Sequence, residues 1–307
     1  MKVTNIVKKI LENYSSESPA IVAKLYQILM QGKLAGTGKM VILPVDQGFE
    51  HGPDRSFLKN PDSYDPDYHY TLAIEAGLSA YAAPLGFIAS GSRKFAGQIP
   101  TILKLNSSNS LLSKTSIADQ AFTSSVKDAV ELGCTAIGLT IYPGSAKSLD
   151  MIEEAREVIR EAKSYGIMSV VWSYPRGGDL SKEGETALDV CSYAAHIAAL
   201  IGAHIIKVKP PTTYVEQAEA KKIFDSENVN IKDLTESVKH VVKACFAGKR
   251  LVVFSGGAAK DTKSILDEVR AIHKGGANGS IIGRNSFQRP KAEALKLLSD
   301  ICEIYKS

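Results

Sequence analysis

Eight short β-branched or apolar runs recur along this chain, and their regular return constrains the fold more than any other feature. They are Met40–Val45 (MVILPV), Ser79–Ala83 (SAYAA), Thr101–Leu105 (TILKL), Thr135–Ile141 (TAIGLTI), Met168–Trp172 (MSVVW), Ala203–Lys209 (AHIIKVK), Arg250–Phe254 (RLVVF) and Gly279–Ile282 (GSII). Each is too short for a helix and the right length for a buried strand. Most follow a glycine-containing turn that ends a helix, such as EAGLS, ELGCT, SYGIM, LIGAH or FAGKR. Between them lie stretches with apolar residues three and four apart, including Ile152–Ala162 and Ala187–Leu200. Alternating strand and helix with strands apolar throughout predicts a parallel sheet covered on both faces. Eight such units of about 35–40 residues predict an α/β fold of the (β/α)8 TIM-barrel class rather than an open sheet.

The length, 307 residues, would accommodate one α/β barrel or two smaller domains. No Pro/Gly/Ser-rich linker divides the chain, so one barrel is expected over residues 39–307. Residues 1–38 read as an N-terminal helical extension, with Ser18 or Pro19 starting a helix before IVAKLYQILMQGKL. That extension either plugs the barrel bottom or makes a subunit contact. Residues 210–235, after the sixth strand, form a long connection ending in a helix that begins near Leu234. It either shapes a pocket or is a surface excursion.

With 37 Lys and Arg against 33 Asp and Glu the formal charge is +4, and acids and bases are interspersed. No basic patch of the kind that binds nucleic acid is present. The cysteines Cys134, Cys191, Cys245 and Cys302 form no CxxC pair, which argues against structural zinc and a disulfide framework. The first residues lack the apolar core of a signal peptide, and no run reaches the length of a membrane span. A cytoplasmic protein with no membrane or nucleic-acid partner is expected. The histidines at 51, 69, 196, 204, 240 and 273 show no HxH or HExxH spacing, so no metal site is expected.

In a barrel the chemistry gathers at the carboxyl ends of the strands. Ser255-Gly256-Gly257 after strand seven and Gly283-Arg284 after strand eight place open backbone and a planar donor fork where a phosphate binds. In strand six, I-I-K-V-K, period-two alternation puts Lys207 and Lys209 on the face opposite Ile206 and Val208. The isoleucine and valine suit the helix layer, so the lysines point into the barrel or its mouth. A buried lysine near a second cation, for which Lys104 in strand three is the candidate, becomes a nucleophile able to form a Schiff base. The alternative is a structural ion pair between Lys207 and Asp46. On strand five Trp172 and Tyr174 share a face, and a phenol at the mouth can move protons; Trp172 equally serves as barrel filling. Asp46, at the end of strand one, can orient the lysine. Arg176 and His51 are candidates for a second anionic group of the substrate, or cap their loops.

These segments in order, PVDQGFEHGP (44–53), YAAPLGF (81–87), TIYPGS (140–145), WSYPRGG (172–178), IIKVKPP (205–211), SGGAAK (255–260) and GRNSFQRP (283–290), closely resemble the archaeal-type class I fructose-bisphosphate aldolases, the DhnA-like branch. The resemblance runs from about residue 40 to the C-terminus. It implies a (β/α)8 barrel, a lysine Schiff base without metal or other cofactor, a phosphorylated sugar substrate, and a homo-oligomer that is often a decamer. By motif, Lys207 matches the Schiff-base lysine, with Lys209 the competing choice. Tyr174 matches the general acid/base, Trp172 its neighbour, and Asp46 the acid beside the lysine. Ser255, Gly256, Gly257, Gly283 and Arg284 match the 1-phosphate site, with His51 and Arg176 serving the distal 6-phosphate; Lys104, from its place in strand three rather than from the resemblance, is a further candidate for substrate binding. The implied reaction is the reversible cleavage of fructose 1,6-bisphosphate in glycolysis and gluconeogenesis. Related members of the branch act on other phosphorylated ketoses, as 2-amino-3,7-dideoxy-threo-hept-6-ulosonate synthase or as a thiolase of quorum-signal degradation. The glutamate and histidine of DQGFEHGP together with Trp-Ser-Tyr favour the aldolase proper over these relatives; a phosphosugar-binding barrel without turnover is a third reading, for which an inward Lys207 and Tyr174 are unnecessary.

Overall fold

The computed structural model describes residues 3–113, 115–255 and 260–307. Among these, eight parallel strands close into a barrel: β1 (Met40–Pro44), β2 (Ala80–Pro84), β3 (Thr101–Lys104), β4 (Ala136–Ile141), β5 (Met168–Ser173), β6 (Ile205–Val208), β7 (Leu251–Ser255) and β8 (Gly279–Ile281). Each pairs with its neighbours in sequence, and β8 closes on β1 with Met40 opposite Gly279 and Ile42 opposite Ile281. Every strand end lies within two residues of the apolar run that predicts it. The seam is tight: Gly279 has φ +149°, and a Cβ there would lie 1.8 Å from the carbonyl oxygen of Met40.

Strand alternation sorts the apolar residues into two cores. Met40, Ile42, Ala80, Ala82, Ile102, Ala136, Met168, Val170, Ile205, Leu251, Val253 and Ile281 fill the interior. Their alternates, among them Leu43, Leu103, Val171, Ile206, Val208 and Phe254, pack under the surrounding helices. The helix Ser148–Ser164, for example, buries Met151, Ala155, Ile159 and Ala162, a stripe at three- and four-residue spacing.

The N-terminal segment closes the barrel from below. It forms α1 (Asn5–Glu12), capped by the Thr4 hydroxyl, and α2 (Pro19–Leu29), capped by the Ser18 hydroxyl with Pro19 in its first turn. Val7, Tyr14, Ile21, Leu25 and Ile28 belong to the same buried cluster as the barrel interior. The Tyr14 hydroxyl donates to the carbonyl of His204 at 2.6 Å and accepts the N–H of Leu251 at 3.0 Å, so it ties the starts of β6 and β7 to the plug. His204 itself is buried, its Nδ1 accepting the N–H of Ser169 at 2.9 Å while Nε2 faces Glu17 at 3.6 Å. It belongs to this packing and not to the mouth.

At the opposite end the connections are longer. After β1 come two short helices, Gln47–His51 and Pro53–Phe57, and after β3 a small antiparallel ribbon pairs Asn106–Ser107 with Ala121–Phe122. The 210–235 connection contains an unexpected helix, Ala218–Ser226, none of whose residues is buried; the helix expected from Leu234 runs Leu234–Ala244.

Candidate active site

A cavity of about 670 Å³ opens at the carboxyl ends of the strands. Its wall includes Asp46, Glu50, His51, Trp172, Tyr174, Arg176, Lys207, Lys209, Ser255, Lys260, Gly283 and Arg284. The two ends of the 210–235 connection reach it through Pro210, Pro211, Thr212 and Leu234, so that segment shapes the pocket.

β6 delivers Lys207. Its neighbours in the strand, Ile206 and Val208, face the helix layer, which turns the lysine inward. It is 4% exposed. In the β5–β6 register it lies opposite Trp172, and its Nζ sits 4.9 Å from that ring's centroid and 5.5 Å from the Tyr174 ring. Among the described residues no carboxylate oxygen lies within 4 Å of the amine, so the ion pair with Asp46 is not formed. Burial pulls the amine down to about 8, with Lys104 and Arg284 adding to the effect and Asp46 and Glu50 opposing it. Lys209, two residues on, is a different environment: it is paired with Glu185 at 3.2 Å and its side chain is 25% exposed.

Lys104 is placed differently from expectation. It is fully buried, its amine donates to the carbonyl of Asn106 and, at 3.2 Å, to that residue's side-chain oxygen, and it does not line the cavity. Asn106 in turn bridges to the backbone of Thr140 on β4. Strand alternation turned Lys104 inward, but a backbone carbonyl claims its amine below the cavity floor. It acts on Lys207 through its charge alone, and the Trp172 ring centroid lies 5.8 Å from the Lys104 amine and 4.9 Å from the Lys207 amine. Direct contact with a substrate is not supported by that position.

Tyr174 follows β5 on the Trp172 face, while Ser173 between them turns to the helices and donates to the carbonyl of Ala194 at 2.8 Å. Burial and the Asp46 carboxylate hold the Tyr174 phenol well above its ordinary value, partly offset by the Ser255 hydroxyl. Trp172 is 1% exposed and its ring fills the space above Gly138, where a Cβ would come within 2.8 Å of the indole. It serves both as core and as cavity floor. Arg176 is held over the Tyr142 ring, 4.9 Å from its centroid, and its N–H donates to the carbonyl of Pro143 at 3.0 Å.

Asp46 is 5% exposed and precedes the helix Gln47–His51; Glu50 lies one turn on and lines the same cavity. Burial first, then the Asp46 carboxylate, raise the Glu50 carboxyl above its ordinary value. The same burial, with Arg284 and Arg55 nearby, lowers His51.

At the ends of β7 and β8, Ser255, Gly283 and Arg284 all line the cavity. Gly256 and Gly257 lie outside the described residues. A Cβ on Gly283 would meet the carbonyl of Pro44 at 2.9 Å, so only glycine lets β8 leave the barrel beside β1. The two strand ends are joined where the N–H of Lys260 donates to the Asn285 side chain at 2.9 Å. Lys260, whose amine pairs with Glu268, and Arg55 add two cations to the wall that the sequence reading did not single out. Glu50 was noted there only as part of a motif. Its signal was the four-residue spacing from Asp46, which puts both carboxylates on one helix face. Among the described residues no group of three or more His, Cys, Asp and Glu side chains is arranged to hold a metal ion. No described helix is long and apolar enough to cross a membrane.

Comparison with known proteins agrees with this chemistry. The model of the DeoC/LacD family aldolases matches residues 40–289. The probable fructose-bisphosphate aldolase class 1 of Chlamydia trachomatis is 37% identical over 303 residues, covering 95% of this chain and 86% of the relative. The fructose-bisphosphate aldolase class 1 of Thermoproteus tenax is 36% identical over 274 residues, covering 88% and 90%. Among solved structures, an archaeal fructose-1,6-bisphosphate aldolase with its catalytic lysine covalently bound to the carbinolamine intermediate superposes with a TM-score of 0.74 at 32% identity, over 99% of this chain and 100% of that one.

Proposed function

This chain belongs to the DeoC/LacD family of aldolases, and from that premise we propose that it is a class I, Schiff-base-forming fructose-bisphosphate aldolase. The observation that carries the reading is a buried lysine that lines the cavity and has no ion-pair partner among the described residues, Lys207, its amine drawn down to about 8 beside a wall that also carries several cations. Residues 39–307 supply the catalytic barrel and residues 1–38 its extension.

Neutral Lys207 adds to the C2 ketone of fructose 1,6-bisphosphate. The carbinolamine loses water, with Tyr174 giving the proton and regaining one from solvent, and becomes an iminium. The iminium draws the electron pair of the C3–C4 bond once a base takes the C4 hydroxyl proton, and glyceraldehyde 3-phosphate leaves. Tyr174 protonates the enamine at C3, and hydrolysis frees dihydroxyacetone phosphate and the lysine. The electron sink is made from the lysine and the substrate's own ketone, so the chemistry asks for no metal and no organic cofactor. Asp46, out of contact with the amine, acts on it through its charge, favouring the protonated form, and Trp172 walls the imine. Ser255, Gly283 and Arg284 hold the 1-phosphate, the site to which the resemblance also assigns Gly256 and Gly257, and His51 and Arg176 hold the distal one. The assembly is a homo-oligomer, which light scattering checks.

A barrel that only binds a phosphosugar needs neither an inward lysine nor a buried phenol beside it. The test is borohydride reduction with dihydroxyacetone phosphate in the presence of a chelator, followed by peptide mass spectrometry. The adduct is expected on Lys207 and absent from Lys104 and Lys209. A Lys207→Met chain that is still labelled would sink the assignment.

A further inference from the structure

Cleavage moves two protons at two different atoms: one leaves the C4 hydroxyl and one arrives at C3. Tyr174 suits the second task, because burial and a neighbouring carboxylate keep its phenol protonated. A phenol held in that state is a poor base for the first. The structure provides another group. Glu50 sits one helical turn beyond Asp46 on the same face of the helix Gln47–His51 and lines the cavity with Lys207, Tyr174 and Arg176. Its backbone is fixed from two sides: its N–H donates to the carbonyl of Asp46 at 3.3 Å, and its carbonyl accepts the N–H of Ser110 at 2.9 Å from the connection after β3. Its carboxylate, by contrast, is uncommitted. Among the described residues it accepts no hydrogen bond, and its one contact within 4 Å with a titratable nitrogen is the His51 ring at 3.9 Å. The side chain is 23% exposed, placed nearer the opening than Lys207.

We propose that Glu50 is the catalytic base that takes the C4 hydroxyl proton in cleavage and returns it to the aldehyde oxygen in synthesis; this rests on the Schiff-base reading above. In cleavage the Glu50 carboxylate removes the hydroxyl proton, the O–H pair becomes the second bond of the new carbonyl, and the C3–C4 pair moves into the iminium to give the neutral enamine. Tyr174 then gives its proton to C3. The proton held on Glu50 passes through water to the tyrosinate, and both groups return to their starting states. The groups facing Glu50 are Asp46 and His51 beside it, Lys104 from β3, Arg176 after β5 and Lys207 from β6. Burial and Asp46 raise the Glu50 carboxyl and the three cations lower it, which brings its basicity toward the working range of a general base.

The test separates the half-reactions. Wild type, Glu50→Gln and Glu50→Asp are compared for borohydride trapping of dihydroxyacetone phosphate, for exchange of its C3 proton with deuterated water, and for cleavage of fructose 1,6-bisphosphate. Trapping and exchange need Lys207 and Tyr174 but no C4 hydroxyl. Glu50→Gln should lower the cleavage kcat by about 10²–10³-fold, leave trapping and exchange within about threefold of wild type, and be partly rescued by Glu50→Asp. Undiminished cleavage in Glu50→Gln, or equal loss in all three assays, overturns the role. Failure of wild type to trap at all removes the Schiff-base reading itself.

Discussion

At the scale of the residue, Lys207 shows how burial makes a reagent. With its amine near 8, about a tenth of it is neutral at pH 7, against well under a thousandth for an ordinary lysine. Trapping by borohydride should therefore rise about five-fold between pH 7 and pH 8 and level off above pH 9, as single-turnover labelling at several pH values will show. The same shift acts on stability. The unfolded chain holds this proton more tightly than the folded one, so the folded state is penalised in full below about pH 8 and the penalty fades as pH rises toward the unfolded value near 10.5. Lys207→Met should abolish turnover yet raise stability at pH 7 by about 1–3 kcal/mol, measured by denaturant unfolding. A variant less stable than wild type would mean that the lysine's contacts with Trp172 and Tyr174 outweigh its desolvation. Lys104 makes the complementary point. Alternation along β3 reveals that its side chain turns inward, but whether the amine reaches the cavity or folds onto a carbonyl depends on a rotamer and on Asn106, which no strand pattern encodes.

Elements were legible in the sequence wherever they bury something. All eight strands and the α2 cap at Ser18 were readable because apolar period and turn chemistry coincide there. The helix Ala218–Ser226 was not, since none of its residues is buried and its face carries no core stripe. Glu50 was obscured for a related reason: a five-residue helix is too short to display a period, and its second carboxylate looks like an ordinary surface acid until the barrel encloses it. The dependence of the strands on the plug is itself testable at one atom. Tyr14→Phe removes the hydroxyl that satisfies the His204 carbonyl and the Leu251 N–H. Two buried backbone groups then lack partners, which should cost about 2–3 kcal/mol. Thermal unfolding checks this, and amide exchange at Leu251 should accelerate.

For the whole molecule, closure is what converts eight strand ends into one site. Asp46 after β1 and Arg284 after β8 line the cavity from the two sides of the seam that closes the barrel, and that seam tolerates no side chain at Gly279, where a Cβ would overlap the Met40 carbonyl at 1.8 Å. Gly279→Ala should cost about 3 kcal/mol or more through strain and parted strands. It should also separate Arg284 from Lys207, so that any folded remnant labels poorly in the borohydride assay.

The plug formed by α1 and α2 has a consequence for traffic. With the barrel filled by side chains above the plug, the sugar, both trioses and the hydrolytic water exchange at the carboxyl ends of the strands, where the cavity opens. The half held by the lysine cannot leave until a water molecule reaches the imine, whereas no covalent bond holds the aldehyde produced first. Departure is therefore queued, the free aldehyde going before the tethered ketone, and the reverse synthesis must load in the opposite order.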